Sequence, residues 1–106
     1  MIAADAEGGG YEIRNSAFIA QAFLSLQRQA KREGRGQELL QAARTIYERM
    51  RQEPTVLGEP LYRLPALRMR VRCVALGPLY VDFAVCEDRP LVFIKSVKLL
   101  PARKSP

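Results

Sequence analysis

The period of the hydrophobic residues changes once along this chain, near Leu57, and that change constrains the fold more than any other feature. Before it, apolar residues recur at spacings of three and four, which is typical of amphipathic helices. After it, apolar and polar residues alternate, which is typical of half-buried strands. The sequence therefore predicts an α+β fold in which the helices come before most of the sheet.

Two helices are predicted in the first half. The first follows the N-cap candidates Asn15 and Ser16 and ends near the glycines Gly34 and Gly36. The second ends before Pro54, because a residue that precedes proline is disfavoured in a helix. Two helices of similar length joined by a short turn favour an antiparallel hairpin.

The strands predict the rest of the architecture. A short strand, "YEIR", comes before the helices. After the helices the sequence predicts a strand at "GEPLYRL", which "ALRMRVRCVA" either extends or follows as a separate strand, and then strands at "LYVDFAV" and "LVFIKSV". Short turns at Gly77 and Pro78 and at "CEDRP" favour antiparallel pairing. The predicted order is β-α-α-β-β-β, with the helical hairpin packed on one face of a small, mainly antiparallel sheet. Residues 11–100 would form a single domain between a disordered tail, residues 1–10, and a frayed basic tail, residues 101–106.

The segment "LRMRVRC", Leu67 to Cys73, carries the most distinctive charge pattern. Read as one strand, it places Arg68, Arg70 and Arg72 on one face and alternate apolar residues on the other. We expect the apolar residues to face the helices and the arginines to lie on the uncovered face. Such a row is either a solvated surface or a surface that binds an anion.

Composition narrows the classes of partner and chemistry. The net charge of +6 favours nucleic acid, anionic lipid or an acidic protein as a partner. No apolar run has the length of a membrane span, and the start lacks the pattern of a secretory signal, so we expect a cytoplasmic protein without a membrane partner. Because the chain has no histidine, a zinc site of the usual ligand count and a catalytic triad built on imidazole are excluded. We expect neither a metal nor a cofactor.

The order and turns of the predicted elements resemble those of a known family. A first strand that ends in Asn15 and Ser16, a helical hairpin, a link from Pro54 to Gly58 and the segment "LRMRVR…GPLYVDFAV…RPLVFIKSV" are similar to the RelE/ParE superfamily of type II toxin-antitoxin toxins. The resemblance extends from Tyr11 to about Lys98. It implies a toxin that a cognate antitoxin neutralises.

The resemblance implies two activities. RelE-like toxins cleave mRNA on the ribosome, and ParE-like toxins inhibit DNA gyrase without a nuclease site. By resemblance, Arg68, Arg70 and Arg72 would be the phosphate-binding residues on the central strands. Many members carry an arginine where this chain has Tyr80, so an inactive toxin-derived binding domain is a third alternative.

An RNA-cleaving site would also need a group that accepts a proton, and arginine, with its high pKa, does not serve. Tyr80 and Asp82 share a strand face, and across the turn at Gly77 they would lie beside the arginine row. They are the candidate catalytic residues, with packing and ion pairing as their structural alternatives. Lys95 and Lys98 are surface charges that would add phosphate contacts if the arginine face binds RNA.

Overall fold

The helical hairpin forms as the sequence predicts. The computed structural model describes residues 10–102, in which α1 spans Ala17–Arg32 and α2 spans Gly36–Gln52. Helix α1 begins at Ser16, whose hydroxyl accepts a hydrogen bond of 3.1 Å from the backbone N–H of Ile19. Each helix therefore begins and ends close to the predicted residues.

In the described part of the chain, five strands form one sheet. They are β1 (Glu12–Arg14), β2 (Glu59–Leu64), β3 (Met69–Leu76), β4 (Leu79–Cys86) and β5 (Leu91–Leu99). Their order across the sheet is β1-β5-β4-β3-β2; β1 runs parallel to β5 and the other neighbours are antiparallel. The predicted α+β fold, with the helical hairpin after the first strand and before the others, is confirmed. Four strands follow the helices, because β2 and β3 are separate strands, so the order is β-α-α-β-β-β-β.

The main core lies between the helical hairpin and one face of the sheet. Leu39, Ile46 and Met50 of α2 form one buried cluster with Phe83, Val85 and their neighbours on the sheet. Phe83 is fully buried at its centre. Burial of a large aromatic side chain stabilises the fold by about 1.5–3 kcal/mol, so this contact layer is a principal source of stability.

The segment from Leu67 to Cys73 is not one strand, which corrects the first part of the prediction. A short 3-10 turn, Pro65–Leu67, separates β2 from β3, and Arg68 follows it with a left-handed φ of 54°. Strand β3 therefore begins at Met69, and Arg68 belongs to the turn.

The assignment of the two faces was also wrong. Arg70 pairs with Val85 across β3 and β4, and Arg72 pairs with Phe83. Directly paired residues share a face of the sheet. Since Phe83 and Val85 pack under the helices, Arg70 and Arg72 lie on the helix-facing side and not on the uncovered face.

The uncovered face carries the residues that we expected under the helices. Val71 pairs there with Ala84, and Met69 pairs with Cys86. Val71, Ala84 and Cys86 are nevertheless buried, flanked by larger side chains on the neighbouring strands such as Tyr62. The predicted alternation in β3 is present, but both faces of the sheet contain buried apolar residues, so alternation alone does not identify the face that the helices cover.

The predicted tails, residues 1–10 and 101–106, lie almost wholly outside the described residues. Within residues 10–102, neither helix is long and apolar enough to cross a membrane.

Candidate anion-binding cleft

A cleft of about 410 Å³ opens on the helix-facing side, at the end of the sheet where β3 begins and β4 ends. It is lined chiefly by Tyr11, Thr55, Arg70, Arg72 and Glu87. Two of the three predicted arginines therefore line a cleft, although on the opposite face from the one predicted. Guanidinium groups at a concave surface can bind phosphate or carboxylate groups.

Arg72 has a structural role at this cleft. Its Nε–H donates to the carbonyl of Leu57 at 2.9 Å, and its Nη2 donates to the carbonyl of Gly58 at 3.1 Å. These bonds tie the link between α2 and β2 to the middle of β3. We therefore expect loss of Arg72 to affect folding as well as binding.

Arg70 and Arg63 share one acidic partner. They lie directly opposite each other on β3 and β2, and both bind the carboxylate of Glu87. Arg63 contacts both oxygens, at 2.6 Å from Nε and 2.8 Å from Nη2, and Arg70 donates from Nε at 2.9 Å. Two like charges opposite each other are unfavourable, and the carboxylate between them offsets that repulsion.

Further arginines surround the turn between β4 and β5. Arg68 and Arg89 each lie 3.9 Å from a carboxylate oxygen of Asp88, a distance that indicates loose ion pairs. Ion pairs thus join four arginines, Arg63, Arg68, Arg70 and Arg89, to two acidic residues, Glu87 and Asp88. The local surplus of positive charge favours an anionic ligand.

The pKa of Glu87 predicts a pH dependence of stability. Hydrogen bonding by Arg63, followed by that of Arg70, lowers the pKa of this carboxyl from 4.5 to about 2. Because the pKa is lower in the folded than in the unfolded chain, the ion pairs stabilise the fold fully at a pH above the unfolded value. This contribution to the free energy of unfolding is lost as the pH falls from about 4.5 to about 2. We expect the difference in free energy of unfolding between wild type and Glu87→Gln to shrink over that range, as measured by urea denaturation.

Glu48→Gln provides the control for that titration, because Glu48 is an exposed carboxylate of α2 without an ion pair among the described residues. As an exposed substitution away from special contacts, Glu48→Gln should change the free energy of unfolding by less than about 0.5 kcal/mol. If Glu87→Gln and Glu48→Gln follow the same curve, the Glu87 carboxylate is not held by arginines in solution.

The candidate catalytic residues lie on the uncovered face of the sheet. Asp82 pairs with Cys73 of β3 and Ser96 of β5, and Tyr80 pairs with Lys98 of β5. The arginines of β3 are on the other face, so the predicted placement of Tyr80 and Asp82 beside them was wrong. The physical reason is the register of β3 and β4. Arg70 and Arg72 pair with odd-numbered residues of β4, whereas Tyr80 and Asp82 are even-numbered and therefore point to the opposite face.

These residues form a polar cluster of their own. The hydroxyl of Ser96 donates to Oδ2 of Asp82 at 2.8 Å, while Oδ1 of Asp82 is buried without a hydrogen-bond partner in the described residues. The amino group of Lys98 lies 5.7 Å from the centre of the Tyr80 ring. Hydrogen bonding with Cys73, and to a smaller extent with Asp82, raises the pKa of the Tyr80 phenol. Tyr80 is therefore poorly suited to accept a proton as a phenolate at neutral pH.

The two predicted lysines do not join the arginines. Lys98 belongs to the uncovered face through its pairing with Tyr80. Lys95 is exposed on β5 next to an irregularity in the pairing with β4, where Phe83 pairs with Ile94 and Asp82 pairs with Ser96. Neither lysine lines the arginine cleft.

Arg63 and Glu87 are site residues that the sequence analysis missed. The sequence pattern places Glu87 in a turn and Arg63 in a strand, and it indicates a site role for neither. A signal was available, because a hairpin centred on Pro65–Leu67 places Arg63 opposite Arg70 and two facing arginines require a nearby acid. The "CEDRP" turn supplies that acid.

Within residues 10–102, no group of three or more cysteine, aspartate or glutamate side chains is placed to hold a metal ion. Comparisons of the chain with protein-family models, curated proteins and solved structures found no match.

Proposed function

We propose that this chain is the toxin component of a type II toxin-antitoxin pair with RelE/ParE-like architecture, and that it acts in the cytoplasm by binding RNA through the arginine cleft. The RNA would be mRNA on the ribosome, as the family resemblance implies, and a cognate antitoxin would neutralise the toxin. The observation that carries the proposal is that Arg70 and Arg72 line one cleft in a region with surplus positive charge.

Phosphate recognition suits these side chains. Guanidinium is planar, permanently charged and able to donate two parallel hydrogen bonds to one oxyanion. Among residues 10–102, Arg70 donates a side-chain hydrogen bond only from Nε, to Glu87, and its side chain is 66% exposed, so its two terminal nitrogens are open to an incoming phosphate. Contacts of this kind bind the backbone without reading the base sequence.

Binding is better supported than cleavage. Attack by a 2′-hydroxyl needs a proton acceptor beside the scissile phosphate. Tyr80 and Asp82 lie on the other face of the sheet, and Glu87, the acid at the cleft, is a weak proton acceptor because hydrogen bonding by Arg63 lowers its pKa to about 2. The proposed toxin therefore blocks translation by occupying RNA and leaves the RNA intact.

Arg70→Ala tests the cleft. We expect Arg70→Ala to bind a fluorescently labelled single-stranded RNA more weakly than wild type. The slope of the logarithm of the binding constant against the logarithm of the salt concentration should be shallower by about 0.7, the amount expected for one lost phosphate contact. Fluorescence anisotropy at several salt concentrations measures both. Unfolding by urea should change little, because the exposed ion pair of Arg70 contributes little to stability.

Arg44→Ala is the matched control, since Arg44 is an exposed arginine of α2 that lies outside the cleft and its loss changes the net charge equally. Equal weakening by both variants would mean that RNA responds to net charge alone. Induced expression, with growth and mRNA integrity recorded together, tests the biological role. Growth arrest with cleaved mRNA that Tyr80→Phe prevents would overturn the non-cleaving proposal.

A further inference from the structure

The carboxylate of Glu87 is bound as an oxyanion ligand would be. Arg63 approaches it with two parallel donors, and Arg70 adds a third hydrogen bond from the neighbouring strand. A phosphodiester group presents two charged oxygens of the same kind, and arginine pairs bind phosphate and carboxylate in similar geometry.

The backbone of Glu87 is fixed while its side chain remains accessible. Its N–H donates to the carbonyl of Arg68 at 2.9 Å, which holds the end of β4 against the start of β3. The side chain is 21% exposed, and the two guanidinium groups are more exposed still. Rotation of one side chain would therefore vacate the space between the arginines without disturbing the sheet.

We infer that Arg63 and Arg70 form an oxyanion site for one phosphodiester group, and that Glu87 occupies this site as an internal competitor which the RNA phosphate displaces. The inference rests on the proposed function and deepens it, because it adds Arg63 to the binding residues and assigns an inhibitory role to Glu87. The carboxylate also keeps two facing arginines paired when no RNA is bound.

Removal of the competing charge should strengthen binding. In Glu87→Gln the side chain keeps its size and can still accept a hydrogen bond, but its charge is gone and both guanidinium groups become available to phosphate. We expect the affinity for single-stranded RNA to rise about tenfold at low salt, the change that corresponds to one charge-assisted hydrogen bond. The salt slope should steepen by about 0.7 for each added contact.

Asp88→Asn is the matched control. It removes the same charge one residue further along the same turn, but Asp88 forms only loose ion pairs of 3.9 Å with Arg68 and Arg89. We expect its effect on RNA affinity to be clearly smaller than that of Glu87→Gln. Equal gains from the two variants would overturn the inference, since net charge would then explain both.

Inorganic phosphate gives a readout that does not depend on RNA. In NMR titrations of the full chain, phosphate should shift the Nε–H signals of Arg63 and Arg70 in Glu87→Gln at lower concentration than in wild type. If phosphate acts in this way but no variant binds RNA, the proposed RNA function fails while the oxyanion site is supported. If RNA binds and Glu87→Gln binds it more weakly than wild type, Glu87 positions the arginines and the inference is overturned.

Folding of each variant is checked by circular dichroism and urea unfolding. If Glu87→Gln does not fold, Glu87→Asp replaces it. The shorter side chain retains its charge but is drawn back from the guanidinium groups. We therefore again expect tighter RNA binding and phosphate-induced shifts at lower concentration than in wild type. RNA affinity and phosphate shifts equal to those of wild type in a folded variant would count against the inference.

Discussion

Gly58→Ala should leave the protein largely unfolded. Gly58 has a φ of 68°, and a Cβ added there would lie 1.9 Å from the carbonyl oxygen of Cys73. That oxygen belongs to the backbone of β3, so the clash can be relieved only by moving β2 away from β3. The same shift would break the hydrogen bond from Arg72 to the Gly58 carbonyl. We expect a loss of about 4 kcal/mol or more, a large part of the total stability of a small domain.

Gly34→Ala is the control for this change. Gly34 also has a positive φ, 76°, but an added Cβ would have no atom within 4 Å. Gly34→Ala should therefore lower the free energy of unfolding only by the backbone strain, about 1–2 kcal/mol. Urea unfolding of both variants, with circular dichroism as the signal, measures the difference. If the two losses are equal, the close approach of Gly58 to β3 is absent in solution.

Phe83→Asp is expected to abolish folding. Phe83 is 0% exposed and lies in the cluster between the sheet and the helices. The substitution loses the buried aromatic contacts and leaves a carboxylate without a cation in an apolar core, so the cost should be at least about 5 kcal/mol. Yield of soluble protein and near-ultraviolet circular dichroism report the outcome.

Lys95→Asp introduces the same side chain at an exposed position of the adjacent strand. It should fold with nearly unchanged stability, because surface substitutions away from special contacts usually change it by less than about 0.5 kcal/mol. A cooperatively unfolding, soluble Phe83→Asp protein would contradict the placement of Phe83 in the core.

Local patterns in the chain predicted the elements well. The helical period, the Ser16 cap and the stop before Pro54 predicted α1 and α2, because caps and breakers act within a few residues. The short turns at Gly77 and at Glu87 predicted the antiparallel hairpins of β3, β4 and β5. The candidate site was predicted less well, since only Arg70 and Arg72 of the predicted residues line the cleft.

The errors came from contacts between segments that are distant in the chain. Alternation in β3 separates its residues into two sets, but it does not state which set the helices cover when both faces hold apolar residues. The left-handed conformation of Arg68 was likewise hidden, because it is imposed by the turn that joins β2 to β3.

The sequence of helices and strands, the net positive charge and the absence of histidine chemistry could be predicted, because they depend on composition and on periods that extend over a few residues. The contact of Arg63 and Arg70 with Glu87 depends instead on packing between distant segments, as does the position of Tyr80 and Asp82 on the opposite face. Register and the face on which a helix packs are set by the free energy of the whole core, to which Phe83 and the helices contribute together.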